Sequence, residues 1–245
     1  MTDYRQIYYP EVKFGGFTDL DGTIAFYFRV NSLVNSSSVV LDVGCGRGQH
    51  AGDPIKIKKE LRVMKGKCKK VIGIDIDEAA RQNPFLDEVH ILKSEKWPLE
   101  DKSIDVCICD GVIEHVENPD LFFSECSRVV KPGGVICIRT PNLHSYVGLM
   151  TRLIPNRLHI SLLKKVQGVR KDEDVFPTLH KCNTVKKLRR MLEKYGFDGV
   201  AYGYEAEPSY FNFSRFFFWL GVLHQKFAPR MFKVAIFGFG RKKSD

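Results

Sequence analysis

A short apolar strand that runs directly into a glycine-rich turn constrains the fold of this chain more than any other feature. Residues 39–48 read VVLDVGCGRG. Glycines at alternate positions let the backbone turn tightly and approach a ligand that a Cβ atom would push away. The pattern therefore predicts a buried parallel strand with a nucleotide-type ligand at its carboxyl end.

The rest of the chain alternates β-rich apolar runs with helix-length amphipathic stretches, which predicts an α/β fold with a doubly wound, mostly parallel sheet. The predicted strands are Ser38–Val43, Val71–Asp75, Val89–Leu92, Ile104–Cys109, Val135–Arg139, Phe197–Tyr204 and Phe232–Phe239. The predicted helices are Thr23–Leu33 capped by Asp21, Pro54–Lys65 capped by Asp53, Glu78–Gln82, Pro119–Val130, and Thr184–Tyr195 capped by Asn183.

The length of 245 residues is that of one domain with appended segments. We divide it into an N-terminal cap segment (1–37), a cofactor-binding core (38–142), an acceptor-side insert (143–182) and a C-terminal part of the same domain (183–245). Hydrophobic residues at 44% and charged residues at 27% exclude a disordered chain. The first twenty residues show no signal-peptide pattern, and seven cysteines without framework spacing fit reduced thiols. We therefore expect a cytoplasmic protein.

Positive charge is concentrated in three segments. The 38 basic residues exceed the 29 acidic ones by nine, and the excess lies in 54–70, in 181–194 and in the tail from Lys226. Such a balance is compatible with nucleic acid, an anionic membrane or an acidic substrate, and also with solvated helix faces. Because no RNA-binding pattern accompanies the clusters, no nucleic-acid partner is expected.

A second strand that ends in an acid sharpens the ligand prediction. Asp75 closes the run VIGID, where a carboxylate can accept both hydroxyls of a ribose. Asp42 precedes the glycines, where it would repel a pyrophosphate and attract a cation. Asp75 also follows Gly44 by 31 residues, against about 20 in the dinucleotide fingerprint. These features disfavour a nicotinamide-dependent oxidoreductase, which remains an alternative.

The motifs together resemble the class I S-adenosylmethionine-dependent methyltransferases, specifically the broad type 11 group. LDVGCGRG is similar to the first motif of that family and GIDID to the second. The later motifs correspond to WPLEDKSIDVCICDGVIEHVENPDLFFSECSRVVKPGGVICIRTPN. The resemblance covers about residues 38–142. It implies a Rossmann-like sheet of seven strands with an antiparallel last strand, and S-adenosyl-L-methionine bound at the carboxyl ends of strands one and two.

The same resemblance implies the cofactor-binding residues. The candidates are Asp42, Gly44, Cys45, Gly46, Gly48, Asp75, Ile76, Ser94, Glu95 and Asp110. The glycines would line the methionine part with Asp42 near its ammonium or sulfonium, while Asp75 would hold the ribose hydroxyls. Ile76 would contact the adenine, and Ser94 and Glu95 follow the third strand near the adenine amino group. Family members often carry an acid where this chain has Lys93.

Catalysis of methyl transfer requires alignment of the acceptor and, for a hydroxyl, removal of a proton. The segment DGVIEH follows the fourth strand, at the edge where an acceptor should enter. We predict His115 as general base, with Glu114 orienting it or binding the acceptor, and His144 as a further candidate; Asp110 and His180 are reserves. The alternative for His115 is a packing or capping role.

Other chemistries lack their motifs. Cys107 and Cys109 are expected on opposite faces of a strand, and no His/Cys/Asp cluster has ligand spacing, so no metal is predicted. The DLDGT sequence at 19–23 matches a phosphatase nucleophile motif but has no strand before it, so Asp21 is predicted to cap a helix instead. The absence of an Asn-Pro-Pro-Tyr or Pro-Cys motif after the fourth strand disfavours methylation of DNA bases.

The insert suggests the acceptor. The stretches RTPN, RLIPN, EDVFPT and NT resemble a branch of bacterial methyltransferases associated with surface-polysaccharide and glycolipid synthesis. That resemblance implies O-methylation of a sugar, a glycan or another small molecule. The alternative is that the insert only covers the sheet edge.

The C-terminal region is unusually aromatic. Nine of the eighteen phenylalanines lie in the last 35 residues. Residues 210–233 could form a core helix between the last two strands, a dimer face, or an amphipathic helix on an anionic membrane beside Lys226, Arg230 and Lys233. The last alternative would give peripheral contact with the inner membrane face. A non-catalytic cofactor-binding scaffold at a membrane and the oligomeric state both stay open.

Overall fold

The computed structural model describes residues 3–153 and 178–244, with side chains as far as Leu149 in the first part. The described residues form a seven-stranded sheet of order β3-β2-β1-β4-β5-β7-β6. Its strands are β1 (Val39–Val43), β2 (Lys70–Asp75), β3 (Glu88–Ile91), β4 (Ile104–Asp110), β5 (Val130–Pro141), β6 (Phe197–Tyr204) and β7 (Ala235–Lys242). Strands β1 to β5 are parallel, and β7 is antiparallel to both β5 and β6. The predicted Rossmann-like sheet with an antiparallel last strand is confirmed.

Helices cover both faces of this sheet. They are α1 (Arg5–Tyr8), α2 (Gly22–Leu33), α3 (Lys56–Arg62), α4 (Pro119–Val129), α5 (Tyr146–Leu153), α6 (Val185–Lys194) and α7 (Arg215–Phe227). On one face, side chains of α4 and α6 share a buried cluster with Leu41, Ile74 and Ile136. On the other face, Phe26 and Val30 of α2 pack with the remaining strand side chains. The alternation of these side chains along each strand thus gives two apolar layers.

The α2 helix begins as predicted. Asp21 Oδ1 accepts from the backbone N–H groups of Thr23 and Ile24 at 2.9 and 3.0 Å, which makes Asp21 the N-cap. Its other carboxylate oxygen lies 2.5 Å from Lys58 Nζ. The DLDGT sequence therefore serves as a helix start in this fold.

The predicted helix over Pro54–Lys65 is shorter than expected, and the assignment of Asp53 as its cap was wrong. Helix α3 covers Lys56–Arg62, with Ile55 at the N-cap position and no side-chain cap. Asp53 Oδ1 accepts from the Ile55 N–H at 2.9 Å, so it closes a turn in front of the helix. Within the basic segment 54–70, Lys58 and Lys70 pair with acids of neighbouring elements, which neutralises part of its charge.

The cap assigned to α6 was also wrong. Thr184 is the N-cap, and its hydroxyl accepts from the Lys187 N–H at 3.2 Å. Asn183 is fully buried instead, and its amide donates to Thr140 Oγ1 at 2.6 Å and to the Pro141 carbonyl at 3.2 Å. A buried amide needs partners, and the end of β5 supplies two acceptors for the Asn183 Nδ2 group.

Two strand boundaries also differ from prediction. Strand β5 starts at Val130, five residues before the predicted start. Val130 pairs with Ile104 of β4, and the register of the two strands shifts between Ile104 and Val106. Strand β7 starts at Ala235, because Arg230–Phe232 forms a short 3-10 turn.

The cysteine prediction contained an error of geometry. Residues two apart in a strand point to the same face, and the Sγ atoms of Cys107 and Cys109 lie 3.9 Å apart. With Cys126 of α4 they form a buried cluster whose three sulfur atoms lie within 4.8 Å of one another. Burial raises the pKa of the Cys109 and Cys126 thiols. The argument from opposite faces against a shared metal therefore fails, while all seven cysteines are free of disulfides.

Two further predictions concern the insert and the membrane. Residues 154–177, which include Pro155, His159, Arg170 and the acidic run 172–174 of the predicted acceptor-side insert, lie outside the described residues. Among the described helices, none has the length and apolar character needed to cross a bilayer.

The two phenylalanines of α2 provide a test of the packing. Phe26 is fully buried, with its ring 5.4 Å from that of Phe237. Phe28 on the same helix is 68% exposed. We expect Phe26→Ala to lower the free energy of unfolding by about 3–5 kcal/mol and Phe28→Ala to change it by less than about 0.5 kcal/mol. Urea unfolding measures both, and equal losses would contradict the placement of α2.

Candidate cofactor and acceptor site

The glycine turn after β1 has the conformation that its sequence predicts. Gly44, Gly46 and Gly48 have φ values of 65°, 51° and 76°, in the left-handed region that favours glycine. The N–H groups of Gly44 and Cys45 donate to the carbonyl of Ile74 at 2.8 and 3.3 Å, which folds the turn over the end of β2. A Cβ atom at Gly46 would meet no atom within 4 Å. The turn therefore leaves open space beside Gly46.

Asp75 fixes this turn from the neighbouring strand. Its Oδ2 accepts from the Gly46 N–H at 2.8 Å, and its Oδ1 accepts from the Asp77 N–H at 2.9 Å. The carboxylate is buried and receives a backbone donor on each oxygen. Ile76, which follows it, is 63% exposed and presents an apolar surface beside the turn. The ribose contact of Asp75 and the adenine contact of Ile76 stay predictions.

Asn83 is a site residue that the sequence analysis missed. Its buried amide donates to the carbonyls of Cys45 and Gly46 at 3.0 and 3.1 Å, and its Oδ1 accepts from the Phe85 N–H at 3.0 Å. Asn83 therefore holds the carbonyl groups of the glycine turn, while Asp75 holds the Gly46 N–H. The Asn-Pro dipeptide at 83–84 was a turn signal in the sequence, but nothing in it indicated the distant partner.

A polar cavity of about 70 Å³ opens behind the turn. Its polar lining residues include Tyr27, Asp42, His50, Arg62, Asn83 and Asp110. His50 Nε2 and Arg62 Nε are buried and have no hydrogen-bond partner among the described residues. Buried polar atoms normally have partners. A cavity with an acid, a guanidinium and unpaired nitrogen atoms suits a zwitterionic ligand.

Burial shifts the titration of two groups in this cavity. It raises the pKa of Asp42 to about 7, with a further contribution from the charge of Asp110 and an opposing one from Arg62. Burial also lowers the pKa of His50 to about 4, and the positive charge of Arg62 acts in the same direction. His50 is therefore neutral near neutral pH, and Arg62 offsets only part of the effect of burial on Asp42.

Asp110 has a structural task that the sequence did not reveal. Arg139 Nε donates to Asp110 Oδ1 at 2.6 Å, and Arg139 Nη2 donates to Oδ2 at 2.7 Å. The Tyr27 hydroxyl also donates to Oδ2, at 2.9 Å. Arg139 also donates to Thr23 Oγ1 at 2.9 Å. This network ties helix α2 to the ends of β4 and β5. The pKa of Asp110 is lowered despite its burial, because Arg139 more than compensates.

Ser94 and Glu95 are less well integrated. Both are exposed in the loop after β3, and the Ser94 hydroxyl donates to the Lys96 carbonyl at 3.1 Å. This hydrogen bond stays within the loop, and the adenine contact of both residues stays a prediction.

The predicted catalytic residues lie at the carboxyl ends of β4 and β5. Glu114 is buried, and its Oε2 accepts from the Thr140 hydroxyl at 2.9 Å. Its carbonyl accepts from the N–H groups of Leu179 and His180 at 2.7 and 3.1 Å. Burial raises its pKa. Glu114 therefore anchors the segment that follows the undescribed residues, and this role explains its place better than acceptor binding does.

The histidines differ in their surroundings. His115 is half-buried, and its N–H donates to the Val112 carbonyl at 2.9 Å within a tight turn. A Cβ atom at Gly44 would lie 2.6 Å from Val112 Cγ2, so the turn that carries His115 packs directly on the glycine turn. His144 is exposed in the loop after β5.

Comparison with known proteins agrees with this geometry. Residues 41–138 match the methyltransferase domain family Methyltransf_11. A probable S-adenosylmethionine-dependent methyltransferase of Mycolicibacterium smegmatis is 38% identical over 108 residues, which cover 42% of this chain and 38% of that protein. A ubiquinone biosynthesis O-methyltransferase of Agrobacterium fabrum is 33% identical over 103 residues, covering 42% and 40%. The chain thus spans about two fifths of the length of these curated relatives.

A solved structure extends the likeness in fold. The crystal structure of a SAM-dependent methyltransferase from Archaeoglobus fulgidus has a TM-score of 0.56 at 21% identity, over 98% of this chain and all of that one. Residues 41–138 carry a methyltransferase domain similar to those of S-adenosylmethionine-dependent enzymes, and the chain has the fold of that solved structure. We therefore predict that the glycine turn, Asp75 and the polar cavity form the cofactor site of this domain.

The residues of the methyltransferase domain fit S-adenosylmethionine. The methionine part of S-adenosylmethionine carries an ammonium, a sulfonium and a carboxylate. The two cationic groups are complementary in charge to Asp42, and the carboxylate is complementary to Arg62, whose Nε has no partner among the described residues. The open space at Gly46 admits close approach of a ligand to the backbone. Asp75 can also accept from ribose hydroxyls, since each carboxylate oxygen has a second lone pair.

Two left-handed glycines test the position of the cofactor. Gly46 and Gly196, which follows α6, both have positive φ and no atom within 4 Å of an added Cβ. We expect Gly46→Ala and Gly196→Ala each to cost about 1–2 kcal/mol of stability from backbone strain. Only Gly46→Ala should weaken binding of S-adenosylhomocysteine, by about tenfold or more, because its methyl group enters the ligand space. Equal affinity of the two variants in calorimetry would contradict the site.

The raised pKa of Asp42 predicts a pH dependence. Between about 4, its value in an unfolded chain, and about 7, the folded protein binds more protons than the unfolded one. The free energy of unfolding should therefore fall as the pH rises through this window. A bound ammonium group favours the ionised carboxylate, so affinity for S-adenosylhomocysteine should increase as the pH rises to about 7.

Calorimetry in buffers of different ionisation enthalpy measures the coupled proton. We expect the wild-type protein to release protons on binding near pH 6.5, while Asp42→Asn releases fewer. Proton release that is the same in both proteins would show that Asp42 does not face the ligand.

Proposed function

We propose that the methyltransferase domain transfers a methyl group from S-adenosylmethionine to an oxygen atom of a sugar, a glycan or another small molecule. The observation that carries the proposal is the direct packing of Val112 on Gly44. This contact sets the turn with His115 against the cofactor turn. It also leaves His115 half-buried at the edge of the sheet, where an acceptor can approach it.

The chain's own residues divide the chemistry as follows. S-adenosylmethionine, when bound, supplies an electrophilic methyl group on a positively charged sulfur. His115 would accept the proton that the acceptor hydroxyl loses as its oxygen bonds to the methyl carbon. Glu114 acts as a positioning residue, since its side chain and carbonyl hold the turn to Thr140 and to the 179–180 backbone. Asp42 and Arg62 would orient the methionine part.

Two observations support the acceptor. One relative is named as an O-methyltransferase, which favours an oxygen atom as the methylated position. The resemblance of RTPN, RLIPN and EDVFPT to a branch associated with surface polysaccharides and glycolipids favours a sugar or glycan. Most of those stretches lie within residues 150–177, so the sugar part of the proposal is supported by sequence alone.

Transfer of a labelled methyl group tests the proposal. Purified protein is incubated with methyl-labelled S-adenosylmethionine and with nucleotide sugars, glycolipids or phenolic compounds. We expect transfer to a sugar hydroxyl, and a decrease of about 10²- to 10⁴-fold in His115→Ala. S-adenosylhomocysteine binding should be retained, because His115 contributes a proton acceptor and not a cofactor contact.

His90→Ala is the matched control, since His90 on β3 is also half-buried and is not a predicted site residue. Equal effects of the two substitutions would remove His115 as the base. Transfer to phenols alone would contradict the sugar assignment.

A further inference from the structure

Helix α7 exposes apolar side chains to solvent on the side that does not touch the protein. Its buried residues are Phe218, Gly221 and Val222. Its exposed apolar residues are Phe216, Phe217, Trp219, Leu220 and Phe227. The spacing of 216, 220 and 227 places them on one helix face. The expectation of a core helix between the last two strands therefore holds only for the inner face.

The exposed aromatic residues form one continuous patch. The ring of Phe217 lies 5.8 Å from that of Phe213 and 5.7 Å from that of Phe216, which in turn lies 6.1 Å from Trp219. Phe213 is also exposed. A contiguous exposed apolar patch of this kind marks an interaction surface.

The inner face fixes α7 firmly to the fold. Phe218 stacks on Tyr8 of α1 at 5.4 Å. His224 Nδ1 lies 2.9 Å from Glu205 Oε1, and its ring meets Tyr146 edge-on at 4.9 Å. The patch is therefore presented on a rigid support.

The sequence that carries the patch is basic, although Glu205 lies on the inner side of α7 beside His224. Residues 208–244 contain seven Lys and Arg residues and no Asp or Glu. Arg215, Lys226 and Arg230 are exposed at α7 and just after it. A groove of about 490 Å³ lies beside them, lined by Arg230, by the exposed Arg29 and Phe28, and by tyrosines of β6. An aromatic patch with a basic border matches an anionic bilayer, whose headgroups pair with cations and whose acyl region takes up aromatic side chains.

Topology places this patch on the functional side of the sheet. Helix α7 connects the carboxyl end of β6 to the start of β7, which pairs beside Pro141 at the carboxyl end of β5. The loops after β4 and β5, with His115 and His144, leave the sheet at the same edge. A membrane bound there would bring its surface to the side from which the acceptor enters.

We propose that the α7 patch, formed by Phe213, Phe216, Phe217, Trp219, Leu220 and Phe227, docks peripherally on an anionic lipid bilayer. The aromatic side chains insert at the interface, and Arg215, Lys226 and Arg230 pair with lipid phosphates. This docking does not depend on the proposed methyl transfer, because binding to vesicles is measured without cofactor or acceptor.

Sedimentation with lipid vesicles tests the docking. The full chain is mixed with vesicles of phosphatidylcholine, with or without phosphatidylglycerol. We expect the protein to pellet with the anionic vesicles, to pellet less with the neutral ones, and to be released by high salt. Trp219 is 43% exposed and Trp97 only 5%. A blue shift of tryptophan emission on binding would therefore report Trp219.

Two leucines of similar exposure provide the matched variants. Leu220 on α7 is 40% exposed, and Leu121 on α4 is 38% exposed. Leu220→Asp should lower partitioning onto anionic vesicles by about tenfold, because a charge replaces an inserted side chain. Leu121→Asp should leave it unchanged, and Lys226→Gln should weaken only the preference for anionic lipid.

Three results would overturn the proposal. The wild-type protein could stay in the supernatant with both kinds of vesicle at low salt. The two leucine variants could lose binding equally. Analytical ultracentrifugation could show a dimer that Leu220→Asp converts to a monomer, which would make the patch a contact between copies of the chain.

Discussion

The hydrogen bond from the Gly46 N–H to Asp75 Oδ2 joins the two strands on which the site is built. It requires the left-handed turn of Gly44 to Gly48, because only that conformation directs the amide towards the end of β2. The same turn lets Val112 pack on Gly44, at a distance that a Cβ atom would not allow. The position of the turn that carries His115 therefore follows from the conformation of the glycine turn.

Asp42 and Asp110 line the cavity, and Asp75 holds the glycine turn. The fold stabilises these three carboxylates to different degrees. Asp75 is satisfied by backbone N–H groups, and Asp110 by Arg139 and Tyr27. For Asp42, the charge of Arg62 lowers the pKa, but burial outweighs it among the described residues and raises the pKa to about 7. Burying a carboxylate without a close partner is unfavourable, and such groups cluster at functional sites. The Asp42 carboxylate can therefore pair with a cationic group of a ligand, whereas the Asp110 carboxylate is already paired with Arg139 and Tyr27.

Local patterns in the sequence identified the glycine turn, Asp75 and most of the strands, because glycine conformation and strand periodicity act over a few residues. The roles of Asn83, Arg139 and Asn183 could not be read in the same way. Each depends on a partner far along the chain, such as Arg139 with Asp110 and Asn183 with Thr140. The error about Cys107 and Cys109 was different, since strand geometry alone places them on one face. The exposure of α7 also required the fold, because an aromatic run predicts burial as readily as a surface.

The central claim is that the glycine turn, Asp75 and the cavity behind it bind S-adenosylmethionine. Calorimetric titration of the purified protein with S-adenosylhomocysteine and, separately, with NAD tests it most directly. The account predicts saturable binding of S-adenosylhomocysteine at one site for each chain and no binding of NAD. Binding of NAD alone would contradict the assignment and favour an oxidoreductase, and binding of neither would favour a scaffold without a working cofactor site.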